Sequence, residues 1–369
     1  MNLQLPTESK PMIDKVYHVS AEIERQRFAK KATRFARALK VLPHSRDLER
    51  LPFLASIPAY FEKRQNLHII DVLCGTGYLA EALQPLGKIT LADLTSELLS
   101  DVQVRDARKV ELDAISLLPR VIHDEFDAIV SLAGLHHVYL YESARHTLLD
   151  DSIDLQIDAL CSWGGMLRNS GGIMIIADVP HWTPAELSGH QSFGDQSSVR
   201  FDLTGAVELQ PYFEKALRVI GFREELNSIR TLDQYVNSPH WNALKHARGF
   251  TSPENFFYDE VSSTSTVGHD GVFIRPSKLC QALQERGFDV VGTQIPTPWI
   301  FKSEREAAWF FTELFSIGEE HQRSADMSAT MSQQFVRSKL SRMLGVTNLR
   351  SGGIAIWWQL YYTFIGKKT

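Results

Sequence analysis

The chain has 369 residues, 44% of them hydrophobic and 22% charged, enough to bury a full core and more than one average domain needs. A formal net charge of -5 and a pI near 6.2 argue against a dedicated nucleic-acid binder, whose phosphate contacts demand a basic surface. No apolar leader opens MNLQLPTESKPMIDK, and no stretch approaches the roughly 18 uninterrupted apolar residues of a membrane span. Cys74, Cys161 and Cys280 have none of the paired spacings of zinc sites or disulfide frameworks. The expectation is a cytoplasmic protein without a structural metal or a membrane partner.

Residues 1–65 read as a helical extension or cap, broken into short pieces by Pro43, Pro52 and Pro58. Within it, Glu24 to Leu39 places Phe28, Ala32, Phe35 and Leu39 on one helical stripe, with Arg25, Arg27, Lys30, Lys31, Arg34 and Arg37 mostly off it. Those charges are expected to be a solvated face, with contact to an anionic substrate or RNA as the alternative.

From His68 the character changes. His68-Ile-Ile-Asp-Val-Leu is a short apolar run, followed by Cys-Gly-Thr-Gly and a helix-period segment, Tyr78 to Leu83, that ends at Pro85 and Gly87. Further strands are predicted over Ile89 to Ala92, Val110 to Leu112, Phe126 to Leu132 and Ile173 to Asp178, with a helix over Ser152 to Asn169. A helix from Ser277 to Arg286, stopped by Gly287, precedes a strand over Asp289 to Thr293, and Ile354 to Phe364 reads as the last strand. Such alternation implies a mostly parallel α/β sheet covered on both faces. Two stretches interrupt it, 180–276 and 296–353, leaving 66–179 as the core, 277–295 as its later helix and strand, and 354–369 as its end. Insertions this long are usually lids or subdomains.

The glycine turn Gly75-Thr-Gly77, between first strand and first helix, lets backbone amides approach an anionic group. Alone it is ambiguous, because Gly75-x-Gly77-x-x-Ala80 with Asp93 also fits a dinucleotide fingerprint. Four landmarks in register decide: IIDVLCGTG (Ile69 to Gly77), Asp93 at the second strand's end, LDA (Leu112 to Ala114), and FDAIVSLAGLHHV (Phe126 to Val138) followed by MLRNSGGIMIIAD (Met166 to Asp178).

Together they resemble the class I S-adenosylmethionine-dependent methyltransferases over about Leu67 to Asp178. The resemblance implies a Rossmann-like, seven-stranded, mostly parallel sheet with helices on both faces, and S-adenosyl-L-methionine as cofactor with S-adenosyl-L-homocysteine as product. It places Asp71 and the backbone around Leu73, Gly75 and Gly77 at the methionine end, Asp93 and Leu94 at the ribose, Asp113 and Ala114 at the adenine, and Ala133 beside the reacting group. The chain departs from the family in one place. Leu73 stands where glycine is usual, which is tolerable if its φ stays negative.

Methyl transfer is an in-line displacement, and a base is needed only when the nucleophile arrives protonated. His136 and His137 follow the fourth strand and His181 the fifth; with Tyr139 these are the catalytic candidates, and His269 is a further lid-side candidate, all weighed against ordinary packing roles. Trp182, Phe193, Phe201 and Tyr212 are among the aromatics that make the first insertion a candidate lid over a small-molecule acceptor. The alternatives are a methylation-coupled cyclase, an NAD-binding oxidoreductase, a binding module without turnover, and an RNA methyltransferase suggested by the basic helix.

Overall fold

The computed structural model describes residues 10–62, 64–113, 115, 126–142, 147–148, 151–169, 171–181, 265, 271–317, 329–341, 344–349, 352–357 and 359–367. Ala114, His269 and nearly all of the first insertion, with its aromatics and the SSTSTVGHDG segment apart from Ser265 and Gly271, lie outside them.

Two helices open the fold, α1 (Lys10–Val41) and α2 (Asp47–Tyr60). Pro52 and Pro58 sit inside α2 instead of ending it, because burial of ten of its side chains, Leu51, Phe53 and Ile57 among them, outweighs the lost backbone bonds. Then come β1 (Leu67–Val72), α3 (Tyr78–Leu83), β2 (Gly87–Asp93), α4 (Ser96–Ser100), β3 (Arg108–Glu111) and β4 (Ala128–Leu132). A small hairpin, β5 (Tyr141–Glu142) and β6 (Thr147–Leu148), leads to α5 (Asp151–Gly164) and β7 (Ile173–Asp178). After the first insertion follow α6 (Pro276–Glu285), β8 (Phe288–Pro296), β9 (Trp299–Phe301), α7 (Glu304–Leu314), α8 (Ala329–Gln334), β10 (Gly345–Asn348), β11 (Ile354–Trp357) and β12 (Gln359–Lys367).

Seven strands form the main sheet in the order β3-β2-β1-β4-β7-β12-β8. The first five run parallel, and β12 lies antiparallel between β7 and β8. Alternate side chains feed two cores. Ile69, Leu91, Val130 and Ile175 pack with α1, α2, α3 and α7 on one face, while Ile70, Ala92, Ile129 and Ile176 pack with α5 and α6 on the other. The expected final strand, Ile354 to Phe364, is two strands in two sheets: β11 joins β10 and β9 in a separate antiparallel sheet, and β12 completes the main one. The second insertion is therefore not purely helical. Among the described residues no helix is long and apolar enough to cross a membrane.

The basic face of α1 is not simply solvated. Arg34 donates to the carbonyls of Thr312 (2.8 Å) and Ile317 (3.3 Å) at the end of α7, where the helix dipole is negative. Arg37 Nε donates to buried Glu313 at 2.7 Å, and Arg34 Nε lies 3.6 Å from the same carboxylate. These bonds dock α1 on α7, so Arg34 and Arg37 are structural contacts of that helix pair. Glu313→Gln should cost about 2 kcal/mol, the scale of a buried charge-assisted bond, in urea unfolding; an unchanged midpoint would show that apolar packing alone holds α1.

Candidate functional site

The strand order reverses between β1 and β4, so the loops leaving these two strands border a crevice at the carboxyl edge of the sheet. The cleft there is lined by Asp71, Leu73, Gly75, Asp93, Leu94, Asp113, Ala133, His136 and His137 from the sheet side. Most of the expected site residues thus meet in one place.

Asp71 ends β1 fully buried. Its carboxyl is pushed well above the ordinary range by burial and by the charge of Asp93, against one hydrogen bond from the Ala80 backbone, and Oδ2 has no partner. Asp93, also buried, accepts from the amides of Gly75 at 2.8 Å and Thr95 at 2.9 Å, and burial still raises its carboxyl above the usual value. Asp113 accepts from the Ile115 amide at 2.9 Å and from the Tyr17 hydroxyl of α1 at 2.7 Å. Burial, then the Asp113 charge, lifts the Tyr17 hydroxyl well above its usual pKa.

Leu73 does not keep a negative φ. It stands at +59°, in the left-handed region that glycine enters freely and other residues enter at a cost. Its side chain is accommodated by a glycine on the facing loop: a Cβ on Gly134 would lie 2.6 Å from the Cβ of Leu73. Ala133, beside it, is likewise left-handed at +53°. A Cβ on Gly75 would point into open space, whereas one on Gly77 would strike Val102 at 2.6 Å. Gly77 therefore serves the turn and the packing under α3, and it does not line the cleft.

The opposite wall belongs to α1, whose inward stripe of Tyr17, Ala21, Glu24, Phe28, Lys31, Phe35 and Leu39 runs the length of the cleft. Glu24 is buried and accepts from Arg27 at 2.7 Å and from the Tyr139 hydroxyl at 2.9 Å, and it lies 3.0 Å from His137 Nδ1. Burial alone would raise its pKa, but His137, Lys31 and Arg27 outweigh that and hold it at about 2. His137 goes the other way. Burial first, then neighbouring His136, lowers it to about 4 despite the pull of Glu24, so the ring is neutral.

The other candidates separate. His136 is locked to Asp178 through Nδ1 at 2.7 Å and its own amide at 3.1 Å. Tyr139 is fully buried and does not line the cleft; its hydroxyl donates to Glu24, which does. His181 pairs its amide with the Ile274 carbonyl at 2.8 Å and is not among the lining residues. Among the described residues no group of His, Cys, Asp and Glu is arranged to hold a metal. Beyond α1, sequence reasoning missed Arg46, which donates to buried Glu49 at 2.8 Å and stacks 4.9 Å from the Trp299 ring at the far end of the cleft.

Residues 70–150 match the family model described as a methyltransferase domain. That stretch is a methyltransferase domain, of the S-adenosylmethionine-dependent kind its motifs resemble. A search of curated proteins finds no significant sequence match. Among solved structures, the YcgJ protein from Bacillus subtilis is similar at 12% identity, covering 87% of this chain and 99% of that one, with a TM-score of 0.41. Magnesium protoporphyrin IX methyltransferase from Synechocystis PCC 6803, solved with bound SAH, is similar at 11% identity over 76% of this chain and 94% of that one, TM-score 0.40. The plantazolicin methyltransferase BpumL, solved in complex with SAH, is similar at 12% identity over 98% of this chain and 99% of that one, TM-score 0.41. At these scores they are similarities only, and the family assignment rests on residues 70–150.

The contact between Leu73 and Gly134 can be tested directly. Gly134→Ala should destabilise the methyltransferase by about 1–3 kcal/mol through overpacking, and adding Leu73→Gly should recover most of that loss in denaturant unfolding. Additive effects in the double variant would mean that the two loops do not press on one another.

Proposed function

We propose that the chain transfers a methyl group from S-adenosylmethionine to a small-molecule acceptor in the cytoplasm. The observation that carries this reading is the wall of α1, which with Trp299, Leu314 and Phe315 gives the cleft a largely apolar lining opposite the sheet edge. The second insertion supplies those three lining residues, which supports its role as part of a cover, and three free cysteines favour a reducing compartment.

The residues present fit the cofactor. Asp71 Oδ2, buried and without a partner, suits the ammonium of the methionine end, and the open backbone at Gly75 suits its close approach. Asp93, held by the Gly75 and Thr95 amides, lines the cleft as a carboxylate suited to a vicinal diol. Asp113 and Tyr17 form the adenine end, with Leu94 as an apolar wall. The bound cofactor supplies an electrophilic methyl group on a sulfonium.

On this reading His137 takes a proton from the acceptor. Its ring is neutral and lines the chamber, and the Glu24 carboxylate, 3.0 Å from Nδ1, stabilises the cation that forms. Tyr139 and Arg27 position Glu24. His136, tied to Asp178, orients the loop.

S-adenosylhomocysteine should raise the melting temperature, by the equivalent of about 2.7 kcal/mol at one hundred times its Kd, and NAD should not. Asp71→Asn separates stability from binding. Because burial holds this carboxyl above its ordinary value, its contribution to folding is fully present below the ordinary carboxylate range and is lost as pH rises through the folded value. The variant should therefore melt higher than the parent at pH 7 without ligand, yet show a smaller shift with S-adenosylhomocysteine. A shift with NAD alone, or an undiminished S-adenosylhomocysteine shift in the variant, would contradict the assignment.

A further inference from the structure

Lys31 is the feature of the chamber that cofactor binding leaves unused. The residue is only 4% exposed and lines the cleft, and among the described residues its ammonium makes no hydrogen bond or ion pair. It sits over the Phe28 ring, whose centroid lies 3.7 Å away, and within the field of the Glu24 carboxylate. Phe28 in turn packs edge-on against His137, with ring centroids 4.8 Å apart. A buried ammonium facing a cavity, one aromatic ring away from the neutral histidine, is costly unless something anionic enters beside it.

Resting on the methyltransferase reading above, we propose that Lys31 binds a carboxylate of the methyl acceptor, so that the substrate is a small aromatic or apolar acid with its nucleophile at His137. Helix geometry supports the placement. Side chains lean toward the helix N-terminus, so Lys31 reaches back along α1 over Phe28 toward the turn that carries Glu24. Phe28, Phe35, Leu314 and Phe315 supply an apolar surround for the acceptor's frame.

The charge count favours a monoanion. The other cations at the cleft or beside it are committed: Arg25 to Glu22, Arg27 to Glu24, Arg46 to Glu49, and Arg34 to the carbonyls closing α7. One free ammonium matches one carboxylate, whereas a phosphate dianion would leave charge uncompensated in a desolvated chamber that already holds Glu24. Burial lowers Lys31 to about 8, which leaves it mostly protonated at neutral pH.

The test is calorimetric titration of the full chain, saturated with S-adenosylhomocysteine, with 4-hydroxybenzoate and indole-3-acetate, each compared with its primary amide. Each acid should bind at least tenfold more tightly than its amide. Lys31→Met should weaken the acids at least tenfold and leave the amides unchanged, and Lys31→Arg should restore most of the affinity. S-adenosylhomocysteine binding by each variant reports on its folding and on the cofactor site, so a failure there counts against the methyltransferase reading itself. Intact cofactor binding with acids and amides bound equally, with neither bound, or with acid affinity unaltered in Lys31→Met would overturn the role of Lys31. A lysine acting only as a base would give the last of these.

Discussion

The site depends on one helix having to bury charge and apolar surface on the same face. Helix α1 lies across the carboxyl edge of the sheet, and its inward stripe carries Tyr17, Glu24 and Lys31 between Ala21, Phe28, Phe35 and Leu39. Polar and charged groups there are costly without partners, and all but Lys31 have one within the fold. Tyr17 finds Asp113, Glu24 finds Tyr139 and Arg27, and Arg34 and Arg37 fix the far end to α7. The helix is thereby pinned at both ends and in the middle, and the cleft between it and the sheet takes its shape from those contacts.

The sheet side answers with strain and desolvation. Leu73 and Ala133, on the loops of the two strands that flank the reversal of strand order, both hold left-handed backbones, and Gly134 makes room for the leucine. Strain of this sort persists only where the surroundings over-determine it, and it gathers at functional sites. Asp71 and Asp93 are buried with raised pKa values, a cost that a cation and a diol beside them would relieve. Stability has been traded for a site prepared in advance.

Much of this was legible in the sequence, for local reasons. The parallel core follows from apolar runs alternating with helical periods, and Asp71, Gly75, Asp93 and Asp113 stand at strand ends where chain direction alone decides what faces the crevice. The sign of φ at Leu73 was not legible, because it depends on a glycine some sixty residues later. Nor was the division of Ile354 to Phe364 between two sheets, since β-branched and aromatic residues suit either. The inward turn of Lys31 was hidden for a related reason: it flanks the apolar stripe, and a charge beside such a stripe reads as solvated until the opposite wall is known.

The central claim is that α1 and the carboxyl edge of the sheet together enclose the reacting group. A crystal structure of the chain with S-adenosylhomocysteine bound tests it most directly. The account predicts adenine beside Asp113 and Tyr17, the ribose on Asp93, and the sulfur facing the chamber walled by Glu24, Phe28, Lys31 and His137. A sulfur that opens away from α1, or a cofactor that displaces α1 from the sheet, would contradict it.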